Sequence, residues 1–207
     1  MSSPALTRAT LALTEKDLEF MALLANELPG DLRSYKVARE GPLDNARMAQ
    51  HSFGGRTATS YAQAGRINGY LREFGPVLTA NPEDGMDIVA ASVAHLFHTP
   101  DSVSGWMRDV FLKDFEEHVG QSMGRGNQLI SVKRLQPAGF FDEAVGLKVL
   151  QGGSKGLASS TVIDFRVGRI LGVVYVGSVG DHDRLDLATQ LGLAMEKRIV
   201  RVALGAA

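Results

Sequence analysis

Apolar residues fall into two periods along this chain, and the change of period marks its elements. Leu18, Met21, Leu24, Ala25 and Leu28 recur at helical spacing. They predict a helix over 15–28, entered through Thr14 and Asp17 and closed by Pro29-Gly30. Val103, Met107, Phe111, Phe115 and Val119 lie four apart, with Val110 beside them, and predict a helix over 102–119. Thr99-Pro100-Asp101-Ser102 supplies its cap and Gly120 its stop. Leu185, Ala188, Leu191, Met195, Ile199 and Val202 predict a last helix over 183–204, after Gly180-Asp181-His182-Asp183 and before Gly205.

Between these helices the pattern shortens to the period of strands. Strands are predicted at 33–39, 87–97, 129–135, 144–151, 159–167 and 169–177, and 58–74 reads as a strand or a bent hairpin arm. Segments 87–97 and 169–177 are apolar on both faces, which places them centrally in a sheet. Val167-Gly168 is tight enough for a hairpin turn. Residues 44–50 read as one or two helical turns before the Gly54-Gly55 loop, and 76–85 and 123–127 read as loops. Residues 1–13 read as a flexible arm, and 14–207 as a single α+β domain. Strand 58–74, strand 87–97 and helix 102–119 are echoed by strand 159–167, strand 169–177 and helix 183–204. The expected fold is a mainly antiparallel sheet with both helices packed on one face, the order suggesting two strand–strand–helix halves. Four strands in succession argue against a doubly wound parallel sheet.

Composition narrows the function classes. The chain has 207 residues, 44% hydrophobic and 22% charged, with 22 Lys plus Arg against 23 Asp plus Glu. A net charge of −1 does not suit a general nucleic-acid binder. Cysteine is absent, which excludes disulfides, thiolate metal sites and cysteine nucleophiles. No apolar run approaches the roughly 18 residues of a transmembrane helix. Met1 to Leu13 lacks the basic start and continuous apolar stretch of a signal peptide.

Few residues offer chemistry. The histidines are His51, His95, His98, His118 and His182. His95 and His98, three apart at a strand end, point to opposite faces if the strand continues, so no zinc set is expected of them. There is no Gly-x-Ser-x-Gly elbow, Walker A motif or dinucleotide fingerprint, and Gly152-Gly153-Ser154-Lys155-Gly156 reads as a hairpin loop. Glu116-Glu117 and Asp142-Glu143 read as solvated surface. Arg66, Asn68, Tyr70, Arg72 and Phe74 alternate onto one strand face, a fork donor beside a stacking platform. Trp106, the single tryptophan, lies one position off its helix's apolar stripe, at a core edge or in a groove.

Two stretches resemble a known family. One is Ala64-Gly65-Arg66-Ile67-Asn68-Gly69-Tyr70-Leu71-Arg72-Glu73-Phe74 followed by Val93-Ala94-His95-Leu96-Phe97. The other is Phe165-Arg166-Val167-Gly168-Arg169-Ile170-Leu171-Gly172-Val173-Val174-Tyr175-Val176, leading to a terminal helix with Lys197-Arg198-Ile199. They are similar to bacterial extracytoplasmic sensor-like domains and lipoproteins of the PknH-type extracellular family. The resemblance implies a central antiparallel sheet flanked by helices, ligand binding, and an extracytoplasmic setting in preference to a cytoplasmic one, with the leader absent from this chain. The disulfides common in that family cannot form here. No catalytic residue carries over.

The expected function is that of a non-catalytic ligand-binding or sensing protein of the cell envelope, without cofactor or metal. Arg66, Tyr70, His95 and Trp106 are the candidate ligand-binding residues: Arg66 for an anion, Tyr70 and Trp106 for stacking, His95 for a hydrogen bond. The alternatives are an enzyme using His95 or His98 as general base, and a homodimeric interaction protein.

Overall fold

A computed structural model describes residues 4–50, 52, 55–77, 82–124, 126–154 and 156–206. His51, Gly54 and Lys155, singled out above, lie outside the described residues. The strands are β1 (Lys36–Pro42), β2 (Arg66–Gly75), β3 (Asp87–Phe97), β4 (Ser122–Gly124), β5 (Asn127–Leu135), β6 (Ala144–Gly153), β7 (Gly156–Val167) and β8 (Ile170–Val179). They form one antiparallel sheet in the order β1-β2-β3-β8-β7-β6-β5-β4. The two strands apolar on both faces lie side by side in its interior, third and fourth of the eight, paired through Val93↔Val173 and Ala94↔Gly172.

The helices are α1 (Pro4–Thr10), α2 (Leu18–Met21), α3 (Asn45–Ala49), α4 (Ala58–Gln63), α5 (Pro100–Gly105), α6 (Lys113–Glu117) and α7 (Leu185–Ala203). A π-helical segment, Trp106–Leu112, joins α5 to α6 in one continuous rod. Thr99 caps that rod by accepting from the Ser102 amide at 3.1 Å, with Pro100 at its first position. Asp183 accepts from the Leu185 amide at 2.9 Å where α7 begins.

The two long helices lie on opposite faces of the sheet, which corrects the expectation of a shared face. Alternation along β8 shows why: Ile170, Val174 and Val176 pack with Leu191, Met195 and Ile199 of α7, while Leu171 and Val173 pack with Val103, Met107 and Phe111. Each buried aliphatic side chain contributes roughly 1.5–3 kcal/mol. The two strand–strand–helix segments share order but not symmetry. A two-fold axis relating antiparallel strands β3 and β8 stands perpendicular to the sheet and would keep both helices on one side.

Three further expectations are corrected. Residues 15–28 do not form one helix. The chain turns extended at Ala22 and Leu24, because the Leu23 amide donates to Ser92 Oγ at 3.0 Å and Arg72 Nη1 donates to the Ala22 and Leu23 carbonyls. Hydrogen bonds to the sheet replace those of the helix. Residues 58–74 are not one strand. Thr57 and Ser60 cap α4 reciprocally, and Gly65, at φ 87°, turns the chain into β2. Residues 4–13 are not a loose arm. The Arg169 guanidinium donates to the carbonyls of Thr10 at 2.9 Å, Leu11 at 3.2 Å and Leu13 at 2.6 Å, and Thr10 is fully buried.

Candidate functional site

A cleft of about 290 Å³ opens between the α5–α6 rod and the sheet face it covers. Its floor is a diagonal across three neighbouring strands: His95 on β3, Val173 and Tyr175 on β8, Val162 and Asp164 on β7. Its wall is the rod, through Trp106, Val110, Phe111, Asp114 and Phe115. Met48, Ser52 and Tyr61 close one end. The rod's π-helical turns supply Trp106, Val110 and Phe111 from a single segment. Such turns bond five residues apart and often mark functional stretches of a helix.

Aromatic rings dominate the lining. The Trp106 ring sits 5.3 Å from Tyr61, 5.4 Å from Phe97 and 6.2 Å from His95, and Phe111 meets Phe115 edge-on at 5.7 Å. Polar tethers hold the rod in place. Arg166 on β7 grips Asp142 through two nitrogens, at 3.1 and 3.0 Å, and donates to Ser104 of α5 at 2.6 Å. Arg56 pairs with Asp114 of α6 through both Nε and Nη2.

The polar groups of the floor are unusual in what they lack. Asp164 is 1% exposed, and its Oδ1 has no hydrogen-bond partner among the described residues. Burial pushes its carboxyl well above the usual range, which favours the protonated form. His95 is 4% exposed, and burial, aided by the Arg66 cation, pushes its ring well below the usual histidine range. Its Nδ1 accepts from Arg66 Nε at 3.1 Å and lies 2.9 Å from Nη2. A neutral imidazole has one acceptor, so the proton sits on Nε2.

The structure unites three of the four candidate residues. His95 and Trp106 line the cleft, and Arg66 stands directly behind His95. Arg66 does not itself reach the cleft, since Nη1 donates to Asn45 Oδ1 at 2.6 Å and Nη2 to the Leu43 carbonyl at 2.5 Å. Tyr70 is on the other face, packed with the α7 core, as are Arg72 and Phe74. The expected alternation of Arg66 with Tyr70 fails at a β-bulge between Arg66 and Asn68, whose extra residue re-aims the side chain before it.

Sequence reading passed over Asp164, Tyr61, Phe111, Phe115 and Tyr175 as site residues. A signal for Asp164 was present: a lone carboxylate inside the apolar run Val162-Ile163-Asp164-Phe165 of an inner strand. The other described histidines do not join the site. His98 is exposed beyond the end of β3, His118 contacts the Asp114 carbonyl at 2.6 Å, and His182 lies 3.1 Å from Asp84. Among the described residues no group of three or more His, Cys, Asp or Glu could hold a metal. A second recess of about 390 Å³, beside Arg56, Thr57 and His118, is polar surface whose arginine is already paired.

The fold and cleft together define an α+β domain: an eight-stranded antiparallel sheet with helices on both faces and a ligand-sized recess under one of them. No family model matches the chain, and no curated protein does. Among solved structures it is similar to the extracellular domain of PknH from Mycobacterium tuberculosis, with a TM-score of 0.59 and 11% sequence identity. The likeness covers 90% of this chain and 96% of that one. The resemblance expected from the hairpin–helix stretches therefore holds at the level of fold. No helix among the described residues is long and apolar enough to cross a membrane.

Proposed function

We propose that this chain is a non-catalytic, extracytoplasmic ligand-binding domain of the sensing kind, and that the cleft under the α5–α6 rod is its binding site. The observation that carries this reading is the floor of the cleft. A buried carboxyl group with an unsatisfied oxygen costs about 1–3 kcal/mol. It lines a recess walled by aromatic rings. Concave apolar sites with a few convergent polar groups are where small molecules bind.

His95 argues for binding rather than catalysis. Its acceptor nitrogen is occupied by Arg66, and the nitrogen left over carries a proton, so it offers a donor and not a base. The extracytoplasmic part of the proposal is supported by the likeness to an extracellular domain.

Trp106 is the only tryptophan and lines the cleft, so its emission reports on this site alone. Titrating the protein with a library of small apolar and amphiphilic molecules should give a saturable change in that emission. Val110→Phe, which fills the cleft, should abolish it. A library that leaves Trp106 unchanged up to millimolar concentrations would overturn the proposal.

A further inference from the structure

We propose that the ligand is an organic amine, its ammonium group held by Asp164 and its apolar body held by Trp106, Phe111 and Phe115. The inference rests on the cleft being the binding site and names the chemistry it accepts.

The first support is the unsatisfied Asp164 Oδ1, a fully enclosed acceptor facing the cleft. Among the described residues, the charged neighbours on this face are already engaged. Arg166, two residues along the same side of β7, is held by Asp142 and Ser104. The hydroxyl of Tyr175 on β8 donates to Glu73, and Asp114 of α6 is paired with Arg56. His95 on β3 is a neutral donor. Among the described residues, therefore, none of these groups offers Asp164 a cation.

The second support is the rings. Aromatic faces attract a cation, most strongly where water is excluded. They stabilise neither an anion nor a bare hydroxyl in that way. Among the described residues Arg66 is a cation without a carboxylate partner that opposes a second cation, and distance weakens it. Two strand spacings and a two-residue offset put His95 and Asp164 roughly 12 Å apart at Cα, and Arg66 lies behind His95. Coulomb energy falls as the inverse of distance, so a carboxylate in direct contact with the ammonium outweighs a cation on the far side of His95.

Charge and protons balance simply. A protonated amine entering the cleft displaces the Asp164 proton to solvent and leaves a carboxylate–ammonium pair. No bond between heavy atoms changes. Amine affinity then rises with pH as Asp164 gives up its proton, above the ordinary carboxylate range, and the affinity of an uncharged analogue does not.

The test uses 2-phenylethylamine, 2-phenylethanol and phenylacetate, three molecules of one shape and three charges, titrated against Trp106 emission. The expected order is amine tighter than alcohol by at least tenfold, with phenylacetate weakest. Asp164→Asn should bring the amine down to the alcohol's affinity without lowering the melting temperature. Asp109→Asn, an exposed change of the same charge, should leave the amine's affinity unchanged. An alcohol or acid that binds as tightly as the amine overturns the amine assignment and leaves the cleft as a binding site. So does an Asp164→Asn protein that keeps the amine preference. Silence from all three probes also overturns the assignment, whereas silence across the whole library removes the binding site itself.

Discussion

The Nδ1 atom of His95 accepts from the guanidinium of Arg66, a cation that is only 1% exposed and has no carboxylate within salt-bridge distance among the described residues. Arg66 is solvated instead by neutral acceptors: the His95 ring, Asn45 Oδ1 and the Leu43 carbonyl. Burial pushes the guanidinium down to about 10, so it remains charged at neutral pH. The pair holds the ring in one tautomer and one orientation.

That tautomer gives the first prediction. Nitrogen-detected NMR should find His95 neutral and protonated on Nε2, and titrating well below the ordinary histidine range. The consequence for stability follows by linkage. The folded value lies below the ordinary 6.5, so the unfolded chain takes up the proton first. The stabilisation is whole above pH 6.5 and is lost as pH falls below it. His95→Gln should flatten that acid limb of the unfolding free energy. A wild-type profile with no slope below pH 6.5 would refute the assignment.

Asp164 acts with the opposite sign. Its folded value is raised, so the native state holds a proton that the unfolded chain has released. Its contribution is most favourable below pH 3.8 and is lost as pH rises through the folded value. Asp164→Asn should gain on the wild type as pH climbs above about 4. Asp164→Val, which removes the unsatisfied oxygen and matches its apolar neighbours, should raise the unfolding free energy by about 1–3 kcal/mol in urea. It should also abolish ligand-induced changes in Trp106 emission. Stability gained together with binding lost would mark the carboxyl as kept for function.

The Arg169 side chain ties the N-terminal residues to the sheet through three carbonyl oxygens, and its backbone amide adds a bond to Thr10 Oγ1. Arg169→Met should cost about 2 kcal/mol, the range of a charged hydrogen-bond donor. Limited proteolysis should then cut first within residues 4–13. Equal resistance of variant and wild type would show that α1 is held by its packing on α7 instead.

Gly172 sits beneath the ring of Phe165, its partner across β7 and β8. A Cβ there would lie 2.2 Å from Phe165 Cζ. Gly172→Ala should cost about 1–3 kcal/mol by overpacking. Adding Phe165→Leu should recover part of the loss, because residues in contact do not act additively. Thermal unfolding of the two single variants and the double variant measures the coupling.

Much of the sheet was legible in the sequence. The span of β3 was read to the residue, and β5 to β8 were placed within a few residues at each end, because alternating and doubly apolar runs carry a strong period. The short N-terminal helices were not, because their hydrogen bonds go to Ser92 and Arg72, far along the chain. His95 and Trp106 were recognised as candidates by type. Their meeting place was hidden, since no period says which face of the sheet a helix will cover. The bulge before Asn68 was equally hidden. One inserted residue separated Tyr70 from Arg66 and sent them to opposite sides of the sheet.

The strand order has a consequence for synthesis. After β3 the chain crosses to the far edge, lays down β4 to β7 coming inward, and only then inserts β8 between β3 and β7. While β8 is still being made, the molecule is two half-sheets, each with an open inner edge able to pair with any passing strand. The seam closes only when Val179 is in place, and α7, which covers it, comes later still. Closure joins residues about 80 positions apart, such as Ala94 and Gly172, and such non-local pairing is slow. The last fifth of the chain thus converts two aggregation-prone fragments into one sheet, and truncation anywhere before β8 leaves both edges unguarded.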